Sequence, residues 1–307
     1  MTHFLFILTG VILPILLQVL LGFGVQKVAS LDVKTLSRAQ FYYFIPSYMF
    51  YKLATAQVPG EMLVLFFSVS TLLMGVMGLT AIVISMLNRY SKPMRAAFTN
   101  SLIFYNSGNI CIPLIDLLYT DPLATLSQLC VLIYQNITTN SLGVFNASSG
   151  KAGVGGALLG ILKMPMVYAI AAGLAVNGFG ITIPEPGRKA LEIAAAGMVP
   201  LALFTLGAQL ARARFDFRRM APILAAGLRL VLGPVVAFLL VRLTGMTGIP
   251  AQVLIICAAA PTAVNTALLA VQYGNEPDFA SQAVLLSTLA SPFTLSLAIW
   301  LVMQYVH

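Results

Sequence analysis

Ten apolar runs occupy almost the whole of this sequence, and each is long enough to cross a bilayer. A helix needs about 20 apolar residues to span the hydrocarbon, and windows of that length settle at 4–25, 39–57, 62–87, 97–119, 123–147, 161–180, 190–211, 219–241, 250–272 and 280–304. Only 8% of the 307 residues are charged, too few to cover the surface of a water-soluble globule of this size. The implied fold class is an all-α polytopic membrane protein of ten transmembrane helices, with short linkers and no room for a soluble domain. The first run lacks a basic leader and is too long for a signal peptide, so it reads as a mature membrane helix.

The net charge of +8 is scattered between the runs, which argues for topology and against nucleic-acid binding. One set of alternate linkers holds Lys27, Lys34, Arg38, Arg89, Lys92, Arg95, Lys151, Lys163, Arg212, Arg214, Arg218 and Arg219, 12 of the 17 basic residues. The positive-inside rule makes that side cytoplasmic and puts both termini outside. Cys111, Cys130 and Cys257 lie within apolar runs without metal or redox spacing, and read as buried free thiols.

The two halves resemble one another at an offset near 154. Pro46 with Phe50 recurs as Pro200 with Phe204, Ser127-Gln128 as Ser281-Gln282, and Gly22-Phe23-Gly24 as Gly178-Phe179-Gly180. The expected division is a first repeat over 1–150, a linker at 151–160 and a second repeat over 161–307. The Gly-rich stretch from Gly153 to Gly160 lacks a nucleotide motif's spacing and reads as that linker. Five crossings per half is an odd number, so the second half must be inverted relative to the first, as in many secondary carriers.

The fourth segment cannot be an ordinary helix through its middle. Asn106, Ser107, Gly108, Asn109 and Pro113 fall at membrane depth, and the proline ring clashes with the carbonyl of Asn109, so the backbone is expected to open there. The ninth segment carries Pro261, Thr262 and Asn265 at the matching place. Open backbone inside a bilayer survives only where it lines a cavity or packs in protein, and paired breaks in the two halves point to a carrier's binding site. The half-helices beginning there present free amides and positive dipole ends, which suit an anion.

Arg229 is the one charge deep within a segment, about 15 Å from Arg219 at helical rise. An arginine near the midplane needs an anion, water or carbonyl groups. Two readings stand side by side: it reinforces the positive potential at the site, or it pairs with carbonyls freed by Pro234 or by the broken helices. Asn140 and its neighbours Gln135, Asn136, Thr138, Thr139 and Ser141, with Ser287, Thr288 and Ser291 in the tenth segment, either line the same cavity or bond between helices. The only histidines, His3 and His307, lie at the ends, so no metal site or cofactor is expected. A membrane enzyme would need a base or metal cluster that the interior lacks. A proton or sodium antiporter normally needs a buried carboxylate near its breaks, and Asp116 lies only toward the outer end of the fourth segment.

These features together resemble the auxin efflux carrier family, within the superfamily that also holds the bile acid carriers. The similarity is carried by Asn106 followed by Pro113, by Arg229-Leu-Val-Leu-Gly233-Pro234, by Val199-Pro200-Leu201 through Leu206-Gly207-Ala208-Gln209-Leu210, and by Ala270-Val-Gln-Tyr-Gly274. The resemblance implies a scaffold of segments 1, 2, 6 and 7, a homodimer through it, and a moving transport domain of segments 3–5 and 8–10. It implies a secondary transporter of a small organic anion, auxin-like or malonate-like, working as an elevator. The substrate site would comprise Asn106, Asn109, Asn140, Arg229, Thr262 and Asn265, with Gly108, Pro113 and Pro261 at the break. The long cytoplasmic loop of many plant members is absent, which favours a bacterial inner-membrane carrier of small carboxylates over an auxin exporter. A sodium-coupled symporter of the bile acid type is the alternative.

Overall fold

The structure is a computed structural model and describes residues 7–55, 60–148, 162, 164–212 and 219–306. The linker expected at 151–160 lies outside the described residues. Helix α1 is Ile7–Ala29, α2 covers 33–55 and α3 is Gly60–Leu87. The fourth segment divides into α4, Lys92–Ile103, and α5, Ser107–Leu118, and α6 covers 122–147. Then follow α7 at Pro165–Gly178, α8 at Glu185–Arg212 and α9 at Met220–Thr244. The ninth segment divides into α10, Gly248–Ala258, and α11, Val264–Tyr273, before α12 at Pro277–Tyr305. Five of these, α1, α3, α8, α9 and α12, are long and apolar enough to cross a membrane, and the chain is a multi-pass membrane protein. Apolar residues such as Val64, Leu72 and Leu79 on α3, or Val231, Val235 and Leu239 on α9, are exposed, as lipid-facing surfaces are.

Helix α2 begins earlier than its apolar run because Asp32 caps it. The carboxylate accepts the Lys34 N–H and the Thr35 hydroxyl, satisfying donors the first turn cannot. The Thr35 bond is the largest influence holding that carboxyl below its usual range. Inside the helices, wide π-turns run over Ile7–Ile12, Gln40–Phe44 and Ser107–Cys111, and each ends two residues before a proline: Pro14, Pro46 and Pro113. A proline has no N–H and its ring crowds the carbonyl four residues back; an extra residue in the turn relieves that crowding. Pro113 therefore does not open the chain at Asn109, as the sequence led us to expect. Asn109 lies inside the π-turn, and the break falls upstream, at 104–106.

Two groups of helices pack among themselves. The most extensive contact is α1 on α8, followed by α7 on α2. Both are helix-on-helix approaches made close by glycine: a Cβ on Gly22 would strike the backbone of Phe204, one on Gly207 that of Val19, and one on Gly173 that of Phe50. The second group joins α9 to α12, α3 to α4, α6 to α10 and α11 to α12, with α3 also touching α6 and α9. At its heart is α10, apolar all round and buried from Val253 to Ala260, as a fully enclosed helix must be.

Between the half-helices the two breaks pair with each other. Tyr105 lies antiparallel to Thr262, the Asn106 N–H donates to the Pro261 carbonyl at 2.8 Å, and the Ala263 N–H to that of Phe104 at 3.0 Å. The Thr262 hydroxyl donates to Ser101 O at 3.0 Å, while its N–H reaches the Ser287 hydroxyl at 3.1 Å. Arg229, with no exposed surface, completes the joint. Its Nη1 donates to Leu102 O at 2.7 Å and its Nη2 to Ala258 O, and the guanidinium sits 5.1 Å from the centre of the Tyr105 ring. Leu102 is in the last turn of α4 and Ala258 is the last residue of α10. One cation thus meets the negative ends of both interrupted helices, where carbonyls have no partner of their own. Gly233 makes room for it, since a Cβ there would collide with Nη2 and Ala258 O.

Two stability predictions follow from this joint and from the α1–α8 contact. Arg229→Met leaves two buried helix-end carbonyls unpaired and should cost about 2–5 kcal/mol, read as a lower melting temperature in detergent, with Gly233→Val lowering it in the same direction. Gly22→Leu should separate α1 from α8 and shift the size-exclusion profile toward aggregate; a wild-type profile would mean that the contact is dispensable.

Candidate functional site

A cavity of about 140 Å³ lies where the crossing meets α2 and α8. The first turn of α5 supplies Asn106, Ser107, Gly108 and Asn109; α6 supplies Gln135 and Asn136; α11 supplies Val264 and Asn265. From the other group of helices come Ser37 and Gln40 on α2 and Gln209 on α8. Ser37 and Gln40 lie toward the end of α2 that carries Lys34 and Arg38. Among the described residues, none lining the cavity is Asp, Glu, Lys, Arg or His, so its polarity comes from amides, hydroxyls and backbone.

Asn106 organises one wall. It caps α5, its Oδ1 accepting the Asn109 N–H at 3.0 Å, and that bond fixes which way the amide faces. Its Nδ2 is left buried without a partner among the described residues. Asn109 Oδ1 in turn accepts from Gln40 Nε2 at 2.5 Å. Gln135 Oε1 and Gln209 Oε1 are also buried and unpaired, while Gln209 Nε2 donates to the Ser37 hydroxyl at 3.3 Å. Helices α5 and α11 both begin at the cavity, so the positive ends of two dipoles converge there.

Of the residues singled out in the sequence, Asn106, Gly108, Asn109 and Asn265 line the cavity, Asn265 as an exposed residue at its edge. Thr262 and Pro261 are buried in the crossing strand, where Thr262 serves the Ser101 carbonyl. Pro113 is buried further along α5. Arg229 is not among the lining residues; its Nη1 and Nη2 donate to the Leu102 and Ala258 carbonyls, while its Nε is buried without a partner among the described residues. Asn140 bonds back to the Asn136 carbonyl at 2.9 Å and is not in the lining either. Thr288 and Ser291 face a different, apolar crevice between α1, α5, α8 and α12. Asp116, at the far end of α5, accepts from the Tyr48 hydroxyl at 3.2 Å and from Thr125 at 3.2 Å. Ser37, Gln40 and Gln209 were missed: a lone serine or glutamine on a helix bearing basic residues at one end reads as ordinary surface.

Comparison with known proteins returns membrane transporters. A family model described as "Membrane transport protein" matches residues 152–301. A protein of Rhizobium meliloti named "Putative malonate transporter" is 29% identical over 144 residues, a stretch covering 45% of this chain and 43% of that protein. An "Uncharacterized transporter" of Methanothermobacter thermautotrophicus is 25% identical over 303 residues, covering 95% of this chain and 97% of its own. The second half of this chain is thus similar to the family of membrane transport proteins, and nearly its whole length is similar to a transporter.

Proposed function

We propose that the chain is a secondary transporter of a small organic anion, a mono- or dicarboxylate, bound at the crossing of α4–α5 with α10–α11. The observation that carries this reading is the Asn106 Nδ2: a buried donor with no partner among the described residues, at a cavity where two helices begin and where none of the described lining residues is acidic. A buried donor left unmade is costly, and a carboxylate oxygen would satisfy it with a charge-assisted bond. The name printed for the Rhizobium relative points to the same class of substrate.

We read the chain as ten crossings in two inverted repeats. The packing supports this, because exchanging segments 1–5 with 6–10 turns the α1–α8 contact into α7–α2, and α9–α12 into α3–α6. Phe204 and Phe50, matched by the sequence repeat, each receive a glycine, Gly22 in one case and Gly173 in the other. The same packing supports a scaffold of α1, α2, α7 and α8 and a transport body of the remaining helices, moving as an elevator. The cavity then faces the cytoplasm, given the basic end of α2 beside it. A bacterial inner membrane, both termini outside and a homodimer through the scaffold complete the reading.

Uptake of labelled malonate and other small carboxylates into proteoliposomes tests it. Asn106→Ala should lower initial uptake about tenfold or more, the worth of one bond to a charged group, and Asn265→Ala should lower it less. Equal rates in both variants and wild type would remove the crossing as the site. Uptake that needs sodium would favour the bile-acid-type symporter instead.

A further inference from the structure

Two hydrogen-bonding groups of opposite kind are left unmet at the cavity. Asn106 Nδ2 is a buried donor and Gln209 Oε1 a buried acceptor, and neither has a partner among the described residues. Both belong to side chains that line the same cavity of about 140 Å³. An amide can be turned over, exchanging its oxygen for its NH₂, so the sense of each must be fixed by its neighbours.

The neighbours do fix both. Asn106 Oδ1 accepts the Asn109 N–H at 3.0 Å, and a backbone N–H cannot accept, so the NH₂ is the group left over. Gln209 meets the Ser37 hydroxyl at 3.3 Å. That hydroxyl has a single hydrogen, and it goes to the Val33 carbonyl at 2.9 Å, so Ser37 has only a lone pair to offer Gln209. Gln209 must therefore present Nε2 to Ser37 and keep Oε1 free. Gln135 also has an unpaired oxygen, but it stands beside the Tyr105 hydroxyl, which is unpaired too. Turning that amide over lets the two meet; Gln209 has no such remedy.

A bare carboxylate answers only half of this arrangement. It satisfies Asn106 Nδ2, but toward Gln209 it has nothing except lone pairs, and the buried acceptor stays unpaired at a cost. A guest that carries a donor at its other end satisfies both groups. Asn106 begins α5 while Gln209 lies on α8, which packs on α1, so such a guest bridges the two groups of helices.

We propose that Gln209 is a specificity-determining residue, and that the preferred guest is a small acid anion bearing a hydrogen-bond donor: a hydroxy acid, an amide acid or a dicarboxylic acid that retains one proton. This rests on the reading of the cavity as the anion site. The carboxylate takes the Asn106 NH₂, and the donor end gives its hydrogen to Gln209 Oε1. A site built around a guest's donor rejects the analogue that lacks it, because the site's own buried group is then left alone.

Binding of matched guests to the purified full-length protein tests this. Malonamate and monomethyl malonate share charge and length but differ in NH₂ against OCH₃; 3-hydroxypropionate and butyrate differ in a hydroxyl against a methyl. The wild type should bind the first of each pair about tenfold or more tighter, the cost of one buried acceptor left unpaired. Gln209→Met keeps the side-chain length and removes the acceptor. It should bring the first of each pair down to the second, leaving the second and the ligand-free melting temperature near wild type. Gln209→Glu retains an acceptor and should weaken every anion by repulsion while keeping the order within each pair. Asn106→Ala should weaken both members of a pair alike. No preference in the wild type, or a preference that survives Gln209→Met, would overturn the proposal while lost binding in Asn106→Ala kept the site. Wild-type binding of all four guests in Asn106→Ala would remove the site and the proposal together.

Discussion

Backbone that leaves a helix within hydrocarbon has no water to turn to, and each unpaired group there costs several kcal/mol. This molecule breaks two helices at membrane depth and satisfies the exposed backbone by laying one break against the other. Asn106 and Ala263 donate across the crossing, and Ser101, Thr262 and Ser287 fill in around it. Arg229 then takes the carbonyl ends of α4 and α10 together. The cavity depends on this joint, because the joint fixes where α5 and α11 begin and therefore where their free amides point. Gly233 belongs to the same device: one side-chain carbon at that position would occupy the space of the guanidinium.

Much of this was legible in the sequence, and the limits have physical causes. The apolar runs place the helices, since their lengths follow from the thickness of the bilayer. Asparagine, glycine and proline together at membrane depth mark the fourth and ninth segments as interrupted. The position of the break was not legible. Proline's effect can be absorbed by an i→i+5 turn, and three prolines use that remedy here, so Pro113 sits in continuous helix while the chain opens at 104–106. The partners of Arg229 were not legible either, because depth says that an arginine needs a counterpart without saying whether that is a ligand or a carbonyl. Gln40 carries no signal, and Gln209 enters only as part of a resemblance motif: both come to line the cavity through tertiary packing.

The match to the family model covers 152–301, and so contains Arg229, Gly233, Thr262 and Asn265 but neither Asn106 nor Asn109. The residue with the unmet donor therefore lies in the half of the chain outside that match, and it rests on the geometry of α5 alone. The two halves meet at the crossing, where each supplies the backbone partner that the other lacks. Neither half could hold its own break open in a membrane without the other.

Arg229 has no acidic neighbour within ion-pairing distance among the described residues, so its charge is solvated by dipoles and remains whole as seen from afar. Under the elevator reading proposed above, α9 travels with the transport body across the field, and that charge travels too. With a monovalent anion aboard, the pair moves as a neutral body, and the membrane potential does little to it. Empty, the same body carries a bare positive charge, on which a full crossing of the potential acts with about 2.3 kcal/mol per 100 mV. Under that reading, and for a monocarboxylate guest, the residue that holds two helix ends together also makes the return stroke the voltage-sensitive half of the cycle, whereas a dicarboxylate would leave both strokes charged.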